Sequence, residues 1–442
     1  MTSAFRIRPI AALAAAGVAA LTLAGCSGGG GEGPDPLVSI PSEDPTAKVK
    51  VLTVFDLETD GLQSVIDEFA KAHPTITIDW QTVPFDALNS TIDANVGNKQ
   101  GDPDIYWADQ PRVSALAARG AAEDLSSAFS EFEDAFVPSA WESGVYDGGL
   151  YSLPVANSTQ LLYYNKDLLD AAGVAAPSAS VDDRITWEQI AEDAKKAVDA
   201  GAENGLLFGQ FDRYYQLEAL PVSLGGSVGA SGEGNLTPDF TSDAWVKALD
   251  FYGSLFENGA SPRAMTPDQV DSTFVGGQAA FAVEGQWLLP QLGGAPFEWG
   301  VAAHPVFQGG EAATGTGSWS VAMNPFSKEK EAAAIFMKWL AIDDGGGIIK
   351  YRANPDLPAT VAGKDIYFGQ ELFTSPQGAA AAEIMNHETS NTAVNRVATI
   401  GYIEFETILN QAFSDIRNGA DAKTALDKAS DDLTTAWAKY TK

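Results

Sequence analysis

Between residues 48 and 109 apolar side chains recur at two alternating periods, and that alternation restricts the possible folds more than any other feature. "KVKVLTVFDLET" (residues 48–59) reads as a buried strand that leaves through a polar turn. "DGLQSVIDEFAKAHP" then puts Leu62, Val65, Ile66 and Phe69 at helical spacing, with Pro74 as the stop. "TITIDWQTV" alternates as a second strand, a helix is expected near residues 89–98, and "PDIYWAD" is a third short strand. This order implies an α/β fold built on largely parallel sheets covered by helices. Ligands of such sheets sit beyond the carboxyl ends of the strands, where Asp56, Glu58, Trp107 and Asp109 fall. Trp107 and Asp109 alternate, so both can leave their strand on one face. Asp109 also stands where a helix cap would, before "PRVSALAARG", and Asp60 reads as a cap for the helix after it.

A second series follows "GLYSLPVANSTQLLYYNKDLL". Residues 161–164 make a strand, "TWEQIAEDAKKAVDAG" a capped amphipathic helix, and "GLLFGQ" another strand. Helical spacing recurs at residues 243–257 and 328–342, and from about 401 to the C-terminus. "FVGGQAAFAVEGQWLL" (residues 274–289) lacks the lysine and hydroxyl residue of a phosphate loop. "AAFAV" is expected to be a buried strand, "EGQW" its exit, and the glycines the turn into it. Trp287 would then stand on a rim, while Glu284 is either a ligand acceptor or a solvated turn residue.

The N-terminus carries Arg6 and Arg8, an apolar run over residues 10–24, and "LAGC" ending at Cys26. These describe a secretory signal, and "LAGCS" resembles a bacterial lipobox. Residues 1–25 are therefore expected to be removed and lipid attached to Cys26, anchoring the protein to the outer face of the bacterial cell membrane. No second cysteine exists for a disulfide or a thiolate metal site. Residues 26–47 are acidic and rich in Gly, Pro and Ser, and are expected to form a flexible tether. The remainder is too long for one core and suggests two domains. With 59 acidic against 27 basic residues, the formal charge of −32 opposes binding to nucleic acid or to an anionic lipid surface. Contact with the membrane is expected only through the anchor.

Several separated segments, in order, resemble the extracellular solute-binding proteins of ABC importers, in the sugar-binding branch that includes maltose-binding proteins. They are "GDPDIYWAD", the crossing "DGGLYSLPVANSTQLLYYNKDLL", "TWEQI", "SLGGS", the Gly-x-Ala-Ala…Gly-x-Trp stretch, "GSWSVAMNPFSKEKEAAAIFMKWLA" and "NPDLPA". The resemblance implies two α/β lobes joined by crossing strands, with ligand held between them. The first lobe would take residues 48–156 and about 318–350, the second 157–317 and about 351–442. It implies a monomeric receptor that carries a sugar or oligosaccharide to an ABC permease, without catalysis or cofactor. A sugar site needs aromatic platforms and hydroxyl-binding carboxylates and amides. The resemblance adds Asp212, Arg213, Tyr214 and Tyr215 in "GQFDRYYQLEAL", and Asn157 and Ser158 at the crossing. Trp319 and Tyr402 are further aromatic candidates beside Trp287.

Competing chemistries find little support. "GGSVG" (residues 225–229) matches a nucleophile elbow but is preceded by a helix and followed by a loop. His73, His304 and His387 are scattered and do not make a zinc motif. Asp109 and Glu284 facing a sugar from opposite lobes would be a hydrolase pair if about 5–10 Å apart. Within the binding reading, an acidic cleft would suit a polyamine or another cationic solute, whereas Arg213 and Arg352 would suit an anion.

Overall fold

The computed structural model describes residues 35–440 apart from residue 318. The signal sequence and Cys26 lie outside the described residues. From the first strand the chain runs β1 (Ala47–Thr53), α1 (Gln63–Ala72), β2 (Ile76–Thr82), α2 (Phe85–Asn95), β3 (Ile105–Asp109) and β4 (Leu153–Pro154). It continues through β5 (Gln160–Asn165), α3 (Trp187–Asp199), β6 (Asn204–Phe208), α4 (Asp243–Glu257), α5 (Pro267–Val275), β7 (Ala279–Gly285) and β8 (Trp299–Ala302). The remainder forms β9 (Thr314–Thr316), β10 (Trp319–Met323), α6 (Lys330–Ala341), α7 (Pro376–His387), β11 (Ala393–Asn395), α8 (Tyr402–Arg417) and α9 (Ala422–Trp437).

Two sheets organise these elements. The first has the order β2-β1-β3-β10-β4 and the second β8-β5-β7-β6. The expected parallel pairing holds for β1 with β2 and β3, and for β6 with β7. It fails for β10, which lies antiparallel to β3 and β4, and for β5, antiparallel to β7 and β8. The physical reason is the connectivity. β4 and β10 carry the chain out of and back into the first sheet, so no covering helix joins them to a parallel neighbour. In β1, Val49 and Val51 are fully buried, and so are Leu62 just before α1 and Val65 and Phe69 within it, which fixes the face that this helix turns to the sheet. Every residue of β7 is buried, as expected of a strand covered on both faces.

Three local differences have clear causes. α2 begins at Phe85, earlier than its apolar spacing implies, because extended Pro84 (φ −55°, ψ 145°) sets its start. The C-terminal helical stretch is two helices: Gly419 adopts φ +105°, and the Asp421 side chain then caps α9 by accepting from the Thr424 amide at 2.8 Å. Phe274 and Val275 belong to the end of α5, and Gly277 at φ +79° turns the chain into β7.

The stretch before β1 does not read as core, yet from Asp35 onward it docks on the body. Leu37 is only 5% exposed, and its amide donates to Glu123 Oε1 at 2.8 Å. Lys330 Nζ donates both to the Asp35 carbonyl (2.9 Å) and to Glu123 (3.0 Å). His73 meets the Asp44 carboxylate at 2.9 Å. Leu37, with Ile40 also packed against the core and polar partners on its flanks, holds what composition describes as a tether.

Candidate functional site

A cavity of about 530 Å³ opens beyond the strand ends of both sheets, where the α/β pattern predicts it. The first sheet supplies Phe55, Thr59 and Asp60 after β1, Asp109 at the end of β3, and Trp319 at the start of β10. Trp319 and Asp109 are register partners across the β10–β3 pair, so the antiparallel return strand brings them to the cavity together. The Trp319 ring meets Phe55 edge-on, with centroids 5.4 Å apart. The second sheet supplies Gln210, Arg213 and Tyr215 after β6, and Gln286, Trp287 and Gln291 after β7. Trp287 lies 6.2 Å from Tyr215, their rings tilted by 34°. Ser158, Gly317, Arg396 and Glu406 complete the lining together with the Arg352–Asp356 segment.

Ionic groups lining the cavity are matched in three pairs: Arg396 and Arg352 with carboxylates of the lining, and Glu406 with Arg112 behind it. Arg396 reaches Asp109 with both terminal nitrogens, one at 2.8 Å, and lies 5.2 Å over the Tyr215 ring. Glu406 pairs with Arg112, whose Nε also approaches Asp109 at 3.9 Å. Arg352 donates to Asp356 (2.8 Å) and to the Asp60 carbonyl (2.8 Å). Ser158 Oγ and the Tyr215 hydroxyl are 3.0 Å apart, and burial pushes the Tyr215 hydroxyl up from its ordinary pKa. Gln286 is held at both ends of its amide, accepting from the Thr159 amide (3.1 Å) and donating to the Asn157 carbonyl (3.3 Å). The result is a bed of aromatic faces with fixed donors and acceptors and no excess of either charge among these pairs.

Of the residues singled out by sequence, Asp109, Ser158, Arg213, Tyr215, Trp287 and Trp319 line the cavity. Others have different places. Trp107 is fully buried, packed edge-on against Trp80 (5.1 Å) and Phe55 (6.2 Å), which cover the face it shares with Asp109. Asp56 accepts from the Glu58 and Thr59 amides, both 3.0 Å, closing a turn, and exposed Glu58 lies outside the lining. Asn157 is buried at the crossing, accepting from the Ser158 amide and the Thr316 hydroxyl. Asp212 (φ +60°) binds Arg417 at 2.9 Å and accepts from Tyr252 at 2.9 Å. Tyr214 and Tyr402 are core residues: one donates to the Val228 carbonyl, the other to Glu406 at 3.3 Å. Asp109 makes no side-chain cap. Asp60 is not a cap either, since α1 begins after Leu62; it lines the cavity instead.

Glu284 has a third role, neither ligand acceptor nor solvated turn. It is 2% exposed, burial drives its carboxyl well above the ordinary range, and the Gly285 amide donates to it at 2.8 Å. It therefore sits behind the cavity wall, bonded to the backbone of Gly285, two residues before Trp287. Sequence reading missed Phe55, Gln210, Gln286, Arg396 and Glu406 as lining residues. Gln286 had a signal, standing inside "EGQW"; Arg396, in "TAVNRVAT", had none.

The family described as bacterial extracellular solute-binding protein matches residues 56–346. A maltodextrin-binding protein of Bacillus subtilis is 25% identical over 364 residues, covering 80% of this chain and 81% of its own. A maltooligosaccharide ABC transporter solute-binding lipoprotein of Streptococcus pneumoniae is 23% identical, with 97% of each chain covered. Among solved structures, an ABC substrate-binding protein of Listeria monocytogenes in complex with cycloalternan superposes with a TM-score of 0.76. It is 23% identical, with 89% of this chain and 99% of that chain covered. The fold is thus the two-lobe architecture expected from sequence.

Proposed function

The chain belongs to the bacterial extracellular solute-binding proteins, and we propose that it binds a sugar or oligosaccharide in the cavity between its sheets and hands it to an ABC permease. The observation that carries this reading is the cavity's lining: Trp287, Trp319 and Tyr215 as faces, with amides, hydroxyls and paired carboxylates between them. Sugars present apolar C–H faces and many hydroxyls, which such a surface complements. The pairing of Arg396 with Asp109 and of Arg352 with Asp356 favours a neutral polyhydroxyl ligand over an anion or a polyamine, since either ion would have to displace an existing partner. The names of relatives, maltodextrin- and maltooligosaccharide-binding among them, point the same way.

The protein acts as a monomer without catalysis, and its lobes close on the ligand. Glu284, behind the wall, is not available as the second carboxyl of a hydrolase pair with Asp109. Lipid on Cys26 keeps the receptor at the outer face of the membrane, near its permease.

A thermal-shift screen tests the reading, with maltotriose, longer maltooligosaccharides, mannitol, spermidine and a sugar phosphate at millimolar concentration. A sugar present at a hundred times its Kd adds about 2.7 kcal/mol of stability. Stabilisation by spermidine or the phosphate ester alone would refute the sugar assignment, and shorter products after incubation would refute the absence of catalysis.

A further inference from the structure

Glu388 is fully buried and lies outside the cavity lining, yet its carboxylate gathers hydrogen bonds from three other segments and from its own turn. Arg184, ahead of α3, donates through both terminal nitrogens at 2.6 and 3.1 Å. The His304 amide, after β8, donates at 3.1 Å, and Thr314 Oγ1, in β9, at 2.9 Å. Thr392 Oγ1, in the chain leading to β11, donates as well. Residues Glu388–Thr392 form a single widened π turn, a form concentrated at functional positions.

Those contacts pin both strands of a small ribbon at one end. β11 pairs in parallel with β9 in the register Thr314↔Ala393, Gly315↔Val394 and Thr316↔Asn395. Thr314 begins one strand and Thr392 immediately precedes the other. The residue after β11 is Arg396, whose guanidinium grips Asp109 and covers Tyr215. A slip of β11 by one residue would carry Arg396 about 3.3 Å along the strand and turn alternate side chains over, ending the two-point grip on Asp109.

We propose that Glu388 is a positioning residue for the cleft: by fixing β11 on β9 it sets Arg396 against Asp109 in the lining. The proposal rests on the reading of this cavity as the ligand site. Glu388→Gln would leave Arg184 without its counter-ion in the interior and can abolish folding. The deciding variant is therefore Thr392→Val, which keeps the side-chain shape and removes the hydroxyl's bond to Glu388 together with its 3.1 Å contact with Thr314 Oγ1.

In the full chain without ligand, Thr392→Val is expected to speed backbone amide exchange at residues 393–397 and leave the strands of the two main sheets unchanged. Titration with maltotriose, or with the best sugar of the screen, is expected to show binding about three- to thirtyfold weaker. In an Arg396→Met background the same substitution is expected to add nothing further. Unchanged exchange at residues 393–397, or an equal loss in both backgrounds, would overturn the proposal. If the wild-type chain binds none of the sugars, the proposed ligand class fails, and the exchange comparison alone decides the role of Glu388.

Discussion

Replacing Gly285 by alanine isolates the position of Trp287 from its presence. Gly285 ends β7 at φ −72° and ψ 170°, a conformation open to any L-residue, so alanine strains no backbone there. The added methyl would, however, stand 2.2 Å from two ring carbons of Trp287 and 2.4 Å from a third. Carbon contacts begin near 3.5 Å, so the indole must lift by about 1 Å or more. Crowding of this kind costs about 1–3 kcal/mol of stability. A sugar ring that covers roughly 60–80 Å² of the indole face would lose about 1.5–2 kcal/mol of contact at 25 cal/mol per Å². The dissociation constant should therefore rise roughly ten- to thirtyfold. Isothermal titration and ligand-induced tryptophan fluorescence measure the two effects, with circular dichroism as the folding control. Trp287→Ala should cost about 1–3 kcal/mol of binding, and Gly285→Ala should add nothing on top of it. An affinity within about twofold of wild type for Gly285→Ala would show that ligand does not depend on where this ring lies.

Glu218 is fully buried with both carboxyl oxygens unpaired, and burial raises its pKa well above the ordinary 4.5. Above pH 4.5 the unfolded chain releases this proton while the folded chain retains it, so stability falls as pH rises toward the folded value. Glu218→Gln should therefore raise the melting temperature at pH 7, with the gain vanishing in acid below about pH 4. His304 acts at the opposite end: burial lowers its pKa from 6.5 to about 4, so wild-type stability should drop by about 3 kcal/mol between those values, read as a denaturant midpoint against His304→Phe. Leu37→Ala should cost about 2 kcal/mol and expose the N-terminal stretch to limited proteolysis. Cys26→Ala should shift the protein from the membrane fraction to the soluble fraction without altering sugar affinity.

What could be foreseen from sequence follows from how far each signal reaches. Period and end signals are local, so β1, α1, β3, α3 and β7 were legible, as was the rule that ligands gather beyond the strand ends. Asp109 and Trp287 line the cavity because they stand at or just beyond such ends, whereas Trp319 reaches it from the start of a strand that runs the opposite way. Alternation put Trp107 on the face of Asp109 but carried no information on what covers that face; Trp80 and Phe55 do. Tyr402 and Tyr214 are aromatic residues beside the right segments, and only packing assigns them to the core. Arg396 was beyond reach for a different reason: its partner Asp109 is 287 residues away, and no neighbour of Arg396 betrays the pairing. The antiparallel direction of β5 and β10 was missed similarly, since residue spacing does not record the direction in which a chain re-enters a sheet.

The docking of Leu37 and Asp35 on the body has a consequence for encounter rates. With lipid on Cys26, as proposed, the chain available between anchor and body is only the stretch from Cys26 to Asp35, about 30 Å when fully extended. A leash that short confines the receptor to a thin shell above the bilayer, where a membrane partner would meet it at an effective concentration of millimolar order. Undocking the strap would lengthen the leash and dilute that encounter. Leu37, outside the cavity lining, would thus tune how often a loaded receptor collides with its permease and leave how tightly it loads untouched.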